Sequence, residues 1–210
     1  MAERPVLYSF RRCPYAMRAR LALVKAGLQV ELREIVLKEK APEFVAASPK
    51  ATVPVLVTAD AVLEESLEIM HWALAQHDPE GWLDMPDAGR ALIEHNDKGF
   101  KAALDRTKYD NRFGSDPEQE RAKANVYLEQ IAATPEGTSW LFYDRPTVAD
   151  MALLPFVRQF AFIDRPRFDR EAPPWVRGWL DRFLASELFA KVMPKYPRWV
   201  AGDPATVFPA

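Results

Sequence analysis

Hydrophobic and polar positions give the chain two textures. Before residue 78, short apolar runs alternate with helical patterns, whereas beyond residue 90 nearly every apolar residue falls on helical spacing. Val6-Leu7-Tyr8 reads as a strand. Met17, Ala19, Leu21, Ala22 and Leu23 mark a helix opened by Pro14 and stopped by Gly27. Residues 30–36 carry β-branched and apolar side chains at partly alternating spacing, a second strand. A polar turn at Lys38-Glu39-Lys40 leads to a short helical piece, Pro42–Ala47, ended by Ser48-Pro49. Residues 53–58 and 61–63 read as a hairpin turning at Ala59-Asp60, and Ser66 as the N-cap of a helix over 67–76. The order βαβ then ββα predicts a small mixed sheet with helices packed on it.

Residues 78–87, with Pro79, Gly81 and Pro86, read as a connection anchored by Trp82 and Leu83. Leu92, Ile93, Phe100, Ala103 and Leu104 share one face of a long helix, and 111–116 is a loop. Pro117 opens another helix, with Glu118 and Glu120 where a helix start favours negative charge and Ala124, Tyr127, Leu128 and Ile131 as its apolar stripe. Thr147 followed by Asp150 is a capping-box pattern. The segment after it is apolar almost all round, as expected of a helix buried in a domain centre, with Pro155 expected to bend it. A helix follows Pro173-Pro174, a shorter one lies near Leu188, and a proline-rich tail reads as irregular. The expected division is an α/β domain over 1–78, a linker over 79–90 and an all-helical domain over 91–210.

Composition narrows the class. Of 210 residues 49% are hydrophobic and 28% charged, with net charge −2, which gives no reason to expect nucleic acid or an anionic membrane as partner. No apolar run is long enough to span a bilayer and no signal-peptide pattern opens the chain. The single cysteine excludes an intramolecular disulfide and suits a reducing compartment, so the expected location is the cytoplasm. His71, His77 and His95 are scattered without zinc-ligand spacing, so no metal is expected.

That cysteine carries the chemistry. Cys13 falls where the first strand gives way to a helix, and a helix N-terminus, with its partial positive charge and unpaired N–H groups, favours thiolate over thiol. Arg11 and Arg12 add positive charge. A free cysteine is otherwise often a small buried apolar residue. The polar, cationic, proline-bounded setting favours the reactive reading.

Taken with Val53-Pro54, Glu65-Ser66 and the distant Thr147-Val148-Ala149-Asp150 box, the stretch Cys13-Pro14-Tyr15-Ala16-Met17-Arg18 resembles the cytosolic glutathione transferases over essentially the whole chain. It looks most like their cysteine-type members, the omega class and the glutaredoxin-related ones. The resemblance implies a thioredoxin-like first domain, glutathione as co-substrate and a homodimer. It implies Cys13 as nucleophile and a glutathione site of Tyr15, Lys40, Val53, Pro54, Glu65 and Ser66. Val53, before a cis-proline, would grip the cysteinyl unit; Ser66 with the helix start would hold the γ-glutamyl carboxylate, Glu65 its ammonium group and Lys40 the glycyl carboxylate. Ala16 stands where a dithiol motif would have its second cysteine, which leaves monothiol exchange. Two rivals are weighed beside it. In one, Tyr8 or Ser9 activates glutathione for conjugation to a small electrophile. In the other, the chain is a non-catalytic binding module of the same fold. Tyr109, Phe113, Trp175 and Trp179 are further candidates for an apolar acceptor pocket, whose substrate the helical half would decide.

Overall fold

The computed structural model describes residues 4–135 and 137–210. They fall into two compact units, one made of residues 1–79 and 186–210 and the other of residues 80–185. The last twenty-five residues thus belong with the sheet, although their helical start and proline-rich tail read as part of the helical half.

The first unit opens with β1 (Val6–Ser9), α1 (Pro14–Ala26), β2 (Val30–Glu34) and α2 (Pro42–Ala47), followed by β3 (Val55–Val57), β4 (Val62–Leu63) and α3 (Ser66–Gln76). The sheet order is β4-β3-β1-β2, with β1 and β2 parallel and the other pairs antiparallel. Strand β1 therefore sits in the middle and delivers the chain to the start of α1. Strand β2 stops at Glu34 because residues 36–39 fold back in a tight turn bridged between Val36 and Glu39. Helix α1 is buried on nearly every side and packs on α3. It ends where Gly27 takes a left-handed conformation, φ 68°, and the Gly27 and Leu28 amides donate to the carbonyls of Val24 and Leu23.

One element is invisible in the hydrophobic pattern. Val207 and Phe208 form a fifth strand, antiparallel to the outer edge of β2, in register Val30 with Phe208 and Glu31 with Val207. The preceding segment is tied down too, since the Trp199 amide donates to the Glu34 carbonyl and the Leu32 amide to the Thr206 carbonyl. The tail thus closes a sheet edge that would otherwise present unpaired backbone groups. Trp199 packs edge-on to Tyr8 in an apolar cluster with Phe44, Val53 and Val55.

The second unit is helical: α4 (Asp87–His95), α5 (Lys101–Lys108), α6 (Asp110–Phe113), α7 (Pro117–Ala132), α8 (Val148–Ala161), α9 (Arg165–Glu171) and α10 (Pro174–Leu184). A π-helical turn at Asn96–Phe100 joins α4 to α5, so the long helix is continuous with one widened turn. The segment expected as a loop over 111–116 contains the short α6, stopped by Gly114 at φ 59°. Helix α8 runs through Pro155. Trp82 is buried and its carbonyl accepts from the first helical amide of α8, whereas the Leu83 side chain is exposed rather than packed as an anchor. After α10 the chain re-enters the first unit through α11 (Glu187–Val192), which packs on α1. Among the described residues no helix is long and apolar enough to cross a membrane.

Candidate active site

Cys13 is the N-cap of α1. Pro14 follows at the first helical position, and the Cys13 amide closes a turn onto the Phe10 carbonyl at 2.9 Å. The cysteine is half-buried. Its sulfur lies 3.7 Å from the Val53 carbonyl, and its side chain packs against the cluster that includes Tyr8, Phe44 and Val53. Val53 and Pro54 are joined by a cis peptide bond at the entrance to β3. Two segments forty residues apart are thereby brought together at one sulfur. The cationic setting read from the sequence is only partly local: the Arg12 guanidinium lies over the Phe10 ring, 5.3 Å from its centre.

Ser66 is the first residue of α3, and Glu65 rather than Ser66 is the N-cap. The Glu65 side chain makes no capping hydrogen bond, so the one-residue difference lies within the ordinary uncertainty of a helix start. Ser66 is buried and accepts a long hydrogen bond, 3.4 Å, from the Arg18 guanidinium. Arg18 itself is fully buried and also lies over the Tyr15 ring at 5.4 Å. Tyr15, Arg18 and Ser66 therefore form one connected group on the α1–α3 face. Glu65 is exposed and paired with Lys50 at 3.2 Å; Lys50 also reaches Glu64 at 3.4 Å, which in turn accepts from Ser48. The Ser48 hydrogen bond, opposed by a little desolvation and helped by Lys50, holds the Glu64 carboxyl below the usual carboxylate range. Lys40 is exposed just past the 36–39 turn and makes no ion pair among the described residues. Of the expected site residues, then, Val53 meets the Cys13 sulfur with Pro54 joined to it by the cis bond, Tyr15 and Ser66 meet through Arg18, Glu65 adjoins Ser66 in sequence, and Lys40 is exposed beyond the 36–39 turn.

The two rival hydroxyls are both engaged. Tyr8 is buried and its hydroxyl accepts from Arg33 at 2.7 Å; Ser9 is buried and its hydroxyl accepts from the Arg20 Nε at 2.9 Å. Trp179, placed among the candidates for an apolar acceptor pocket, is instead wholly buried, its indole N–H donating to Asp150. Tyr109 and Phe113 are exposed.

Sequence reasoning missed two buried arginines and the acid that serves one of them. Burial draws the Arg20 guanidinium down from its ordinary value, and Glu34 offsets part of that through an ion pair at 2.5 Å. Arg18 and Arg20 fall on a helix whose neighbours are otherwise apolar. That placement is a usable signal, because a charged residue between buried positions must find a partner.

Comparison with known proteins adds to this geometry. Residues 7–81 match the family model of the glutathione S-transferase N-terminal domain, and residues 118–182 that of the C-terminal domain. A probable glutathione transferase of Aplysia californica is 33% identical over 89 residues, covering 42% of this chain and 91% of that protein. Among solved structures, glutathione transferase Omega 3C of Trametes versicolor superposes with a TM-score of 0.77 at 20% identity, over 94% of this chain and 92% of that one. A glutathione transferase family member from Pseudomonas fluorescens, solved with two glutathione molecules bound, gives 0.77 at 20% identity over 91% and 92%. With both domain models matched in order and a thioredoxin-like sheet followed by helices, the chain belongs to the cytosolic glutathione S-transferase superfamily of enzymes.

Proposed function

We propose that this enzyme is a glutathione-dependent thiol transferase in which Cys13 is the nucleophile. The observation that carries the reading is the position of its sulfur, half-buried at the N-cap of α1 and 3.7 Å from the Val53 carbonyl before the cis Pro54. A glutathione whose backbone pairs with Val53 presents its sulfur to Cys13. Around it, Ser66 and the first amides of α3 take the γ-glutamyl carboxylate, as a helix start does for anions. Glu65 takes the ammonium group, Lys40 the glycyl carboxylate, and Tyr15 lines the same side. The burial of Tyr8 and Ser9, beside a half-buried Cys13, supports Cys13 over either of them as the activating group.

The chemistry is two exchanges. The Cys13 thiolate attacks the glutathionyl sulfur of a mixed disulfide, the old S–S bond breaks, and the leaving thiolate takes a proton from water. A second glutathione, as its thiolate, then attacks the glutathionyl sulfur on Cys13, giving glutathione disulfide and restoring the Cys13 thiolate. With no other cysteine in the chain, no internal resolving step exists. The reading includes a reducing, cytoplasmic setting and a symmetric homodimer; a mass in solution that stays at one chain over a wide concentration range would remove the dimer.

The test is reduction of the mixed disulfide of glutathione and 2-mercaptoethanol by wild type and by Cys13→Ser. Turnover by the variant should drop to the uncatalysed rate. Full turnover in Cys13→Ser would refute the mechanism. Conjugation of a model electrophile by that variant would favour the conjugating alternative.

A further inference from the structure

We propose that Glu34 is a positioning residue for Cys13, holding the turn that presents the thiol; this rests on the reading of Cys13 as nucleophile. Glu34 is the last residue of β2, beside Ser9 at the end of β1. There the chain leaves the sheet and must reverse within four residues to enter α1. The turn that does this, Phe10 to Cys13, is closed by the hydrogen bond from the Cys13 amide to the Phe10 carbonyl. It is tied to β2 through the Arg11 amide, which donates to Glu34 Oε1 at 2.6 Å.

The same carboxylate is gripped from behind. Its Oε2 accepts from Arg20 Nη2 at 2.5 Å, while Arg20 Nε donates to the Ser9 hydroxyl at 2.9 Å and Nη1 to the Val192 carbonyl at 3.2 Å. Arg20 is 1% exposed and lies over the rings of Tyr196 and Phe208 from the tail. The Glu34 carbonyl accepts from the Trp199 amide. Glu34 is thus fixed by α1 and the tail through its far oxygen and its backbone, leaving its near oxygen aimed at the turn. An amide–carboxylate bond of this kind is charge-assisted and short, which makes it a stiff tether. Arg11 is two residues from the nucleophile, so loosening the tether lets the sulfur wander from Val53. A misplacement of about an ångström at a reacting group can lower a rate by up to about a hundredfold.

The experiment compares Glu34→Gln and Glu34→Ala with wild type. Two quantities are read on each: the rate of Cys13 alkylation by iodoacetamide at fixed pH, and the thermal midpoint. Both variants remove the carboxylate charge from Arg20, so both should melt earlier, by similar amounts. Only glutamine keeps an oxygen acceptor for the Arg11 amide. The expected result is therefore a split: alkylation slowed on the order of tenfold or more in Glu34→Ala, and largely restored in Glu34→Gln despite its lowered midpoint. Alkylation that tracks the midpoint in both variants, or that stays at the wild-type rate in Glu34→Ala, overturns the proposal. Should Glu34→Ala fail to fold, the pair Arg20→Met with Glu34→Leu replaces the ion pair by apolar groups, a change buried pairs often tolerate. It must still slow alkylation, and a wild-type rate there overturns the proposal equally. Loss of mixed-disulfide turnover in Cys13→Ser with unchanged alkylation in Glu34→Ala rejects the positioning role alone. Full turnover in Cys13→Ser rejects the mechanism and leaves the alkylation comparison to decide the positioning.

Discussion

Both units bury polar side chains, but they use them differently. In the sheet unit the buried polar groups join segments far apart in sequence: Arg20 links α1 to β1, β2 and α11, and Arg18 links α1 to Ser66 on α3. In the helical unit the most deeply buried acid fastens the start of its own helix. Asp150 accepts from the Thr147 amide and hydroxyl, the Leu141 amide and the Trp179 indole. Burial pushes the Asp150 carboxyl up from its ordinary value, and those four donors pull against the push. The same unit has an aromatic interior, with Phe100, Tyr127, Phe160 and Phe168 in a chain of ring contacts. The contrast separates two arrangements: in the helical unit the buried charge starts a helix, and in the sheet unit it ties the strand ends to the turn that precedes α1.

The contrast would break first at Asp150. Asp150→Ala orphans four donors at once and should cost about 3–5 kcal/mol in denaturant unfolding. Asp150→Asn should cost less, since it keeps one oxygen for the Leu141 and Trp179 donors. If both variants unfold like wild type, the capping box is decoration rather than anchor.

Next comes the tail. Trp199 closes the cluster beneath Tyr8 and Val53, so Trp199→Ala should destabilise by about 3 kcal/mol, at the low end for a buried tryptophan because it sits at the cluster's rim. Wild-type stability in that variant would mean that the tail merely lies on the sheet. Smaller still is Gly27→Ala, expected to cost about 1 kcal/mol. A Cβ there meets nothing within 4 Å, so only the left-handed backbone is penalised, and a neutral result would show the helix end readily rearranging.

The mildest effect is a pH window. Burial would raise the Glu171 carboxyl, but hydrogen bonds from Arg167, Arg121 and Asn125 override it and hold it at about 2. A depressed value stabilises the fold above the ordinary carboxylate value and loses that contribution as pH falls toward 2. The melting gap between wild type and Glu171→Gln should therefore be full at neutral pH, shrink below about 4.5, and vanish near 2. A gap independent of pH would assign the difference to packing alone.

How much was legible in the sequence follows from range. Pro14 and Gly27 bracket α1, and Thr147 with Asp150 start α8, because caps are signalled within a few residues. The fifth strand was not legible, since two residues in a proline-rich tail show no period and its partner lies far up the chain. The π-turn at Asn96–Phe100 was hidden for a different reason: one widened turn barely shifts a helical stripe. Cys13 stood out by its place at a helix start, and Val53 and Ser66 by motif resemblance, but Glu34 did not. It reads as an ordinary polar residue at a strand end, and its contacts with Arg11 and Arg20 exist only once the chain is folded.

The most direct measurement is intact-mass analysis of the wild-type protein and Cys13→Ser after exposure to a glutathionyl mixed disulfide, before and after adding glutathione. The expected result is one glutathionyl group on wild type, removed by glutathione, and none on the variant. A wild-type protein that turns the disulfide over without ever carrying the adduct, together with a variant that does the same, would contradict Cys13 as the nucleophile.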